Sequence, residues 1–512
     1  MDLLKSFLIL FISVFTLRLL VKRHRRWLHL PPGPKGLPIV GNIVETRAIA
    51  NSNEPPWVTY SKWSDIYGDI FTFQVLGSRT VILNSYKAIM ELLERRSYNY
   101  SDRPSLSMLN DLLRWKWLIT FMRYSDWWRL HRKTVHQSFN HSQVLPEYYD
   151  IQKERTSLLI RKLATSPKNF FEHVRAHSGE TILEIVYGYR TQEDIDLYVQ
   201  LVDEAMQGMN ASGVGIYLVD YFPILKHVPA WFPGARFKTE AEVWARNADR
   251  LVNLPWELIQ KLMDEGSAVP CFCTRNLEKF RKTATSNNNL ATDEFIKNCA
   301  ATSFLGGAET TVSAVLSFIL AMVLNPRIQA RAQKELDEIT GSARLPEFAD
   351  RENLPYIHAI LLETLRWNPV TPLAVPHRSV NDDVYEGYLI PGGSAIIANA
   401  WAVLRNESLY GPDTANFNPD RFIKQDGKSL PPNPESIAFG FGRRSCPGRQ
   451  FALNTVWLTI TYLLASFTIA KEIDNEGKEI NPVVEYMVGL TSHPRPFNCR
   501  FVPRPSAPSF NQ

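Results

Sequence analysis

One short stretch near the C-terminal end constrains this chain more than any other: Phe439-Gly440-Phe441-Gly442-Arg443-Arg444-Ser445-Cys446-Pro447-Gly448-Arg449. Three glycines and a proline around a single cysteine give a loop held open, with backbone N–H groups free to face the sulfur. The apolar run Phe451–Phe467 reads as a helix that follows at once, so Cys446 is expected at or near its positive N-terminus. Helix dipole, loop amides and neighbouring arginines all favour thiolate over thiol. A thiolate so placed is either a nucleophile or a metal ligand. A nucleophile needs an adjacent base, and the neighbours here are arginines.

The rest of the composition limits what can surround that loop. The chain has 512 residues, 45% hydrophobic and 21% charged, which excludes disordered, collagen-like and coiled-coil chains. Lys+Arg exceed Asp+Glu by 57 − 52 = 5, too mild an excess to argue for nucleic acid, and no basic–aromatic alternation suggests a single-strand groove. The sparse, odd set Cys271, Cys273, Cys299, Cys446 and Cys499 argues against a disulfide framework and for a reducing compartment. Cys271-Phe272-Cys273 falls in Gly266–Asn289, which reads as a long surface loop. With no third ligand near by, the pair is expected to be two free thiols there, not a zinc site.

Leu3–Val21 is apolar apart from Lys5 and Arg18, and helical it spans about 28 Å, close to the hydrocarbon thickness of a bilayer. No small-residue cleavage site follows, but the basic run Lys22–Arg26 does. This reads as a membrane anchor with its N-terminus lumenal and the body cytosolic. Pro31–Pro38 (PPGPKGLP) is then a stiff spacer between anchor and body.

In the body, Ile70–Val75 and Thr80–Leu83 read as strands of a hairpin, and a second strand pair is expected around Tyr388–Ile390 and Ala395–Ile397. Most other segments carry a 3.6-residue apolar period. No composition shift divides the body, so one large helical domain with a small sheet region is expected. The longest helix is expected over about Thr292–Leu324, with Thr292 as N-cap. Its middle, Gly306-Gly307-Ala308-Glu309-Thr310-Thr311, costs helix stability on the order of 2–3 kcal/mol. Thr302, Gly306 and Thr310 share one face, flanked by Leu305. A second membrane span is the alternative for this helix, but Glu309 interrupts its apolar run. Pro355–Trp367 reads as a helix placing Glu363 and Arg366 on one apolar-flanked face, as a buried pair. Ser125–Phe139 reads as a helix carrying Trp128 and Arg132 four apart.

Phe439-x-x-Gly442-x-Arg444-x-Cys446-x-Gly448 resembles the haem-binding signature of the cytochrome P-450 family, with every defining position filled. The resemblance implies a mainly α fold with a small β region, a triangular helical haem-thiolate domain preceded by one N-terminal transmembrane helix. It implies segments 1–26 (anchor), 27–42 (Pro-rich hinge), 43–502 (catalytic domain) and 503–512 (a frayed Pro/Ser-rich tail). It implies that Cys446 is the axial ligand of haem b (iron protoporphyrin IX), a ligation that favours O–O cleavage. Glu363, Arg366 and Arg421, the last in Phe417–Phe422, resemble the family's Glu-Arg-Arg triad, with a structural role. Gly306 would leave room over the haem, Thr310 would hydrogen-bond dioxygen, and Glu309 would relay protons. Trp128, Arg132, His377, Arg444 and, more weakly, Arg103 match positions that reach haem propionates. Thr302, Leu305, Gly306, Leu373, Ala374, Val375 and Leu490, with Met108 and Leu112, would line an apolar substrate pocket.

The implied function is a monooxygenase that uses O2 on an apolar small molecule, a terpenoid- or polyketide-like secondary metabolite as in fungal microsomal members. Electrons would come from NADPH through a diflavin reductase, because the chain has no dinucleotide fingerprint of its own. Arg129, Lys133, Arg443 and Arg449 would offer that acidic partner a basic face. The expected location is the endoplasmic reticulum membrane, single-pass, with the catalytic domain in the cytosol. The rivals are an oxygen-independent isomerase or dehydratase of the same family, whose members typically lose the acid–threonine pair, and a non-catalytic haem-binding membrane protein.

Overall fold

The computed structural model describes residues 30–505 except 191–196, 214, 284–288 and 342–343. The anchor expected within 1–26 and most of the tail lie outside the described residues. The described residues form two compact units: one takes residues 30–104 with Pro376–Asn399, the other Ser105–Val375 with residues 400–505. Helices of twelve or more residues are numbered below.

In the first unit, α1 (Pro56–Tyr67) starts on a proline, whose missing N–H is no loss in a first turn. Then come β1 (Ile70–Val75) and β2 (Ser78–Leu83), antiparallel with Val75 opposite Ser78. Leu76 and Gly77 both have positive φ, 48° and 89°, the turn whose twist matches a two-residue hairpin. Later in the chain come β3 (His377–Arg378), β4 (Asp383–Tyr385), β5 (Tyr388–Ile390) and β6 (Ala395–Ala398). The sheet order is β1-β2-β6-β3, and β4 pairs with β5 alone. This corrects the expectation that β5 and β6 form a pair. Glu386 and Gly387, with φ of 48° and 83°, make the hairpin turn, joining β4 to β5. Pro391 instead holds Ser379 and Ser394, whose hydroxyls both donate to its carbonyl at 2.7 Å. The Pro-rich segment is laid against β1: Thr72 N–H donates to Pro32 O at 2.8 Å. A Cβ on Gly33 would fall 1.8 Å from Thr72 O, so only glycine permits that approach.

The second unit contains α2 (Asp126–Phe139), α3 (Tyr149–Thr165), α4 (Phe170–Tyr187), α5 (Leu197–Ala211), α6 (Arg236–Asp264), α7 (Phe272–Thr283), α8 (Asn289–Leu324), α9 (Pro326–Thr340), α10 (Pro355–Trp367) and α11 (Arg449–Ser466). A three-stranded sheet, β7 (Phe467–Ile473), β8 (Glu479–Ile480) and β9 (Cys499–Pro503), has β7 in the middle. Ser125 caps α2, its hydroxyl accepting from Trp128 N–H at 3.2 Å.

Three expectations need correction. Helix α8 begins at Asn289, so Thr292 lies inside its first turn and is not the cap. The expected Gly266–Asn289 loop contains α7, because Phe272, Cys273 and Leu277 bury a helical face in the core. Cys271 and Cys273 are therefore buried free thiols, and a hydrogen bond with Cys273 pushes Cys271 down to about 6. The tail is not frayed from Pro503: β9 includes it, and Arg504 donates to Asp337 Oδ2 at 2.6 Å.

Two buried apolar clusters fill this unit, and α8 runs through both. Phe295–Ala308 contributes to the first, with α2, α4, α5, α6 and α7; Val312–Val323 contributes to the second, with α10 and α11. Among the described residues α8 is the one helix long and apolar enough to cross a membrane, and 78% of that apolar window is buried inside the protein. The Gly306–Thr311 segment lies at the change-over between the clusters.

Two histidines in this unit are held neutral. His131 packs against the Trp127 and Phe295 rings, each at 4.6 Å, and His177 is hydrogen-bonded to Thr459 Oγ1 at 3.1 Å. Burial pushes both down to about 4. The unfolded chain takes up a proton at each near pH 6.5, which the folded chain refuses until about pH 4. Their contribution to stability is full above pH 6.5 and is lost as pH falls towards 4, on the order of 3 kcal/mol each at the end of that window. Urea unfolding at pH 7.5 and pH 5 is expected to show the loss, and His177→Gln to reduce it. Equal stability at the two values in the wild type would contradict the assignment.

Candidate functional site

Cys446 sits three residues before α11, in a loop shaped by two left-handed glycines, Gly440 (φ 75°) and Gly442 (φ 51°). Its N–H donates to Phe439 O at 2.7 Å, closing the loop on itself, and Phe441 is fully buried beneath. The thiol is pushed above its ordinary value: burial raises it, against lowering by the Gly448 N–H, Arg132 and Arg449. The groups expected from the sequence act in the expected direction, since the Gly448 amide, Arg132 and Arg449 all favour the charged form. Those groups are present, and desolvation outweighs them in the protein alone.

Around the loop, α2 supplies Trp128 and Arg132. Arg132 Nη2 donates to Ser445 Oγ at 3.1 Å, and Arg444 lies over the Trp128 ring at 4.0 Å. Arg444 also donates to Met122 O (2.7 Å) and Ile119 O (3.3 Å). The Trp128 indole N–H is buried with no partner in the protein, and such a donor is costly to leave unmet. Arg103 and His377 belong to the first unit. There Arg103 Nη1 donates to Pro376 O at 2.8 Å, and His377 Nδ1 lies 2.7 Å from Tyr100 O.

On α8 the two glycines do different jobs. A Cβ on Gly306 would meet nothing within 4 Å, so this position borders open space. A Cβ on Gly307 would fall 2.7 Å from the Ile182 side chain, so this glycine lets α4 approach, and Ser178 Oγ donates to its carbonyl at 2.9 Å. Thr310 Oγ1 donates to Gly306 O at 2.7 Å, one turn back. Its proton is thereby committed to the helix, and its oxygen retains lone pairs that can accept. Thr302 Oγ1 accepts from Ile119 N–H at 3.4 Å. Glu309 Oε1 accepts a 2.9 Å hydrogen bond from Thr491 Oγ1, a partner that no spacing in the sequence announces.

Of the expected pocket residues, Met108, Leu112, Leu305, Val375 and Leu490 share the first apolar cluster. Leu373 and Ala374 are not part of it; Ala374 turns the chain with φ of 52°. The structure brings Glu363, Arg366 and Arg421 together. Glu363 and Arg366 are fully buried and bonded through two contacts of 2.6 and 2.7 Å, and Arg421 Nε lies 3.8 Å from Glu363 Oε1. Arg129, Lys133 and Arg443 are exposed and Arg449 is half-buried, with Arg443 donating to Tyr124 OH at 2.9 Å.

These features fit a flat, anionic, iron-bearing ring. A thiol is available as ligand, cationic and N–H donors stand beside its loop with one indole N–H unmet, and α8 borders open space at Gly306. No group of three or more His, Cys, Asp or Glu able to hold a bare metal ion exists among the described residues.

The chain matches the family model described as Cytochrome P450 over residues 31–501. It is 40% identical to a cytochrome P450 monooxygenase of Armillaria gallica, covering 94% of this chain and 93% of the other. It is 38% identical to the tryptamine 4-monooxygenase of Psilocybe cyanescens, covering 94% of each. Among solved structures, a zebra fish cytochrome P450 with abiraterone aligns with TM-score 0.71 at 23% identity, over 88% of this chain and all of that one.

Proposed function

This chain belongs to the cytochrome P450 family of monooxygenases, and on that premise we propose a microsomal enzyme that oxidises an apolar, terpenoid- or polyketide-like small molecule with O2 and electrons from NADPH. The observation that carries the oxygen-using reading over an isomerase or dehydratase is the acid–alcohol pair Glu309-Thr310, one turn from Gly306, where α8 borders open space. Relatives named as fungal monooxygenases support the same choice.

In this reading Cys446 holds haem, which when bound supplies the iron centre for dioxygen reduction. Trp128, Arg132 and Arg444 would bind its carboxylates, the indole N–H gaining the acceptor it lacks in the protein alone. Gly306 keeps a side chain out of the space that oxygen and substrate need. The Thr310 oxygen accepts a hydrogen bond and steadies a proton in transit, while Glu309 takes up and releases protons. The apolar cluster containing Met108, Leu305, Val375 and Leu490 excludes water and favours an apolar substrate. The exposed Arg129, Lys133 and Arg443 would receive an acidic diflavin reductase.

The test is the ratio of product formed to NADPH oxidised, with reductase and a panel of terpenoid, polyketide and indole substrates. Thr310→Ala is expected to keep haem and electron uptake and to lower that ratio on the order of tenfold or more, with peroxide released in place of product. An unchanged ratio would remove Thr310 from the chemistry and favour the rearrangement class.

We also propose the endoplasmic reticulum membrane as its location, through residues 1–26 and a second, interfacial contact. Ile216, Leu218, Phe222, Ile224, Trp231 and Phe232 are all exposed, Trp231 by 80%. A surface this apolar is what an interfacial segment presents to lipid. Removing residues 1–26 is expected to leave part of the protein in the membrane fraction at low and high salt alike. Complete release would show that the apolar surface binds no lipid.

A further inference from the structure

We propose that Thr491 is a positioning residue for Glu309, fixing the carboxylate so that its proton traffic passes through one oxygen; this rests on the reading of Glu309 as the proton relay. Thr491 is buried, and its hydroxyl donates to Glu309 Oε1 at 2.9 Å across 182 positions of sequence. Among the described residues Glu309 Oε2 makes no hydrogen bond. Oε1 is therefore the held oxygen and Oε2 the one able to exchange protons with water.

The hold is rigid because the turn carrying Thr491 is itself tied on each side. Leu490 N–H donates to Asn210 Oδ1 on α5 at 3.2 Å, and Ser492 N–H to Val370 O at 2.8 Å. Ser313, one turn beyond Glu309 on α8, donates its hydroxyl to Ser492 O at 2.5 Å. A Cβ on Gly489 would fall 2.9 Å from Asn210 Oδ1 and 3.2 Å from Thr491 O, so the turn lies close against the Asn210 side chain there. The same turn carries Leu490 into the apolar cluster proposed for substrate. One short element thus touches both the substrate-binding cluster and the acid. A carboxylate on a half-buried helix face has several rotamers open to it, and a fixed donor selects one.

The experiment compares wild type, Thr491→Val, Thr491→Ser and Glu309→Gln as haem-loaded full-length protein with reductase. Thr491→Val keeps the shape and removes the donor; Thr491→Ala serves the same comparison should the valine variant not fold. Product per NADPH is expected to fall about tenfold in Thr491→Val, the scale of one lost hydrogen bond to a charged group, and to return with Thr491→Ser. Spectral titration with substrate is expected to give the same affinity in all of them. The infrared carboxylate band, assigned by its loss in Glu309→Gln, is expected to shift in Thr491→Val and not in Thr491→Ser. If Glu309→Gln lowers the ratio while Thr491→Val leaves both ratio and band unchanged, Thr491 has no such role and the relay stands. If Glu309→Gln leaves the ratio unchanged, the relay falls and this role falls with it.

Discussion

The Cys446→Ser variant is expected to show no thiolate-type Soret band when reduced under carbon monoxide, and its monooxygenation is expected to fall to background. The loop around Cys446 is set by Gly440, Gly442 and the Cys446 N–H to Phe439 O bond, none of which needs sulfur. Serine therefore leaves the backbone in place and changes only the donor atom. In the protein alone, burial already raises the thiol against the Gly448 amide, Arg132 and Arg449. A thiol would still release its proton to solvent on binding iron, because metal coordination deprotonates it outright. A hydroxyl, far less acidic, gains too little from the same amide and two arginines. A wild-type spectrum of imidazole type, or a thiolate band surviving in Cys446→Ser, would refute the ligand assignment.

The largest loss of stability is expected from Glu363→Ala. Glu363 holds both Nε and Nη2 of Arg366 and also accepts from Asn418 N–H at 2.7 Å. Arg366 spends its remaining donors on Leu404 O, Thr414 O and Asn416 O. One ion pair thereby pins α10 to the chain between Leu404 and Asn418, and neither partner reaches solvent. Removing the carboxylate leaves a guanidinium buried without its counter-charge, a cost of about 3–5 kcal/mol. Against a total stability of about 5–15 kcal/mol, that is a large fraction. Urea unfolding followed by circular dichroism would measure it, and a loss below about 1 kcal/mol would show that the pair is not structurally required. Arg366→Lys is expected to suffer nearly as much, since one ammonium cannot replace a fork that serves two carboxylate oxygens and three carbonyls.

Elements whose determinants lie close together in sequence were legible from the sequence. Helix α10 runs over Pro355–Trp367 as its proline start and apolar period indicate, and β1 and β2 follow their alternation and the Leu76-Gly77 turn. The Cys446 loop, Trp128 with Arg132, and Glu363 with Arg366 were legible for the same reason. Elements decided by distant partners were not. Pro391-Gly392-Gly393 looks like a hairpin turn, yet β6 pairs with β2 because Thr80–Leu83 offers it a parallel edge far earlier in the chain. Helix α7 was hidden by the Ser, Thr and Asn residues that follow it, although Phe272, Leu277 and Phe280 pack one face of it against the core. The Thr491–Glu309 bond has no local signature at all. At Cys446 the sequence displays the neighbours that stabilise a charge and conceals the desolvation that opposes them.

The pairing of β2 with β6 also sets a timetable. Thr80 meets Ala395, 315 positions later, and at a synthesis rate of about 5–20 residues per second that separation lasts roughly 15 to 60 s. Until β6 emerges from the ribosome, the finished β1–β2 hairpin carries an open edge on β2, with Val81, Ile82 and Leu83 side chains that end fully buried. Unpaired apolar edges are where nascent chains find each other. The first unit cannot be completed as it is made, and yield in a heterologous host should therefore depend on translation speed and on chaperones that shield this edge more than on the stability of the finished protein.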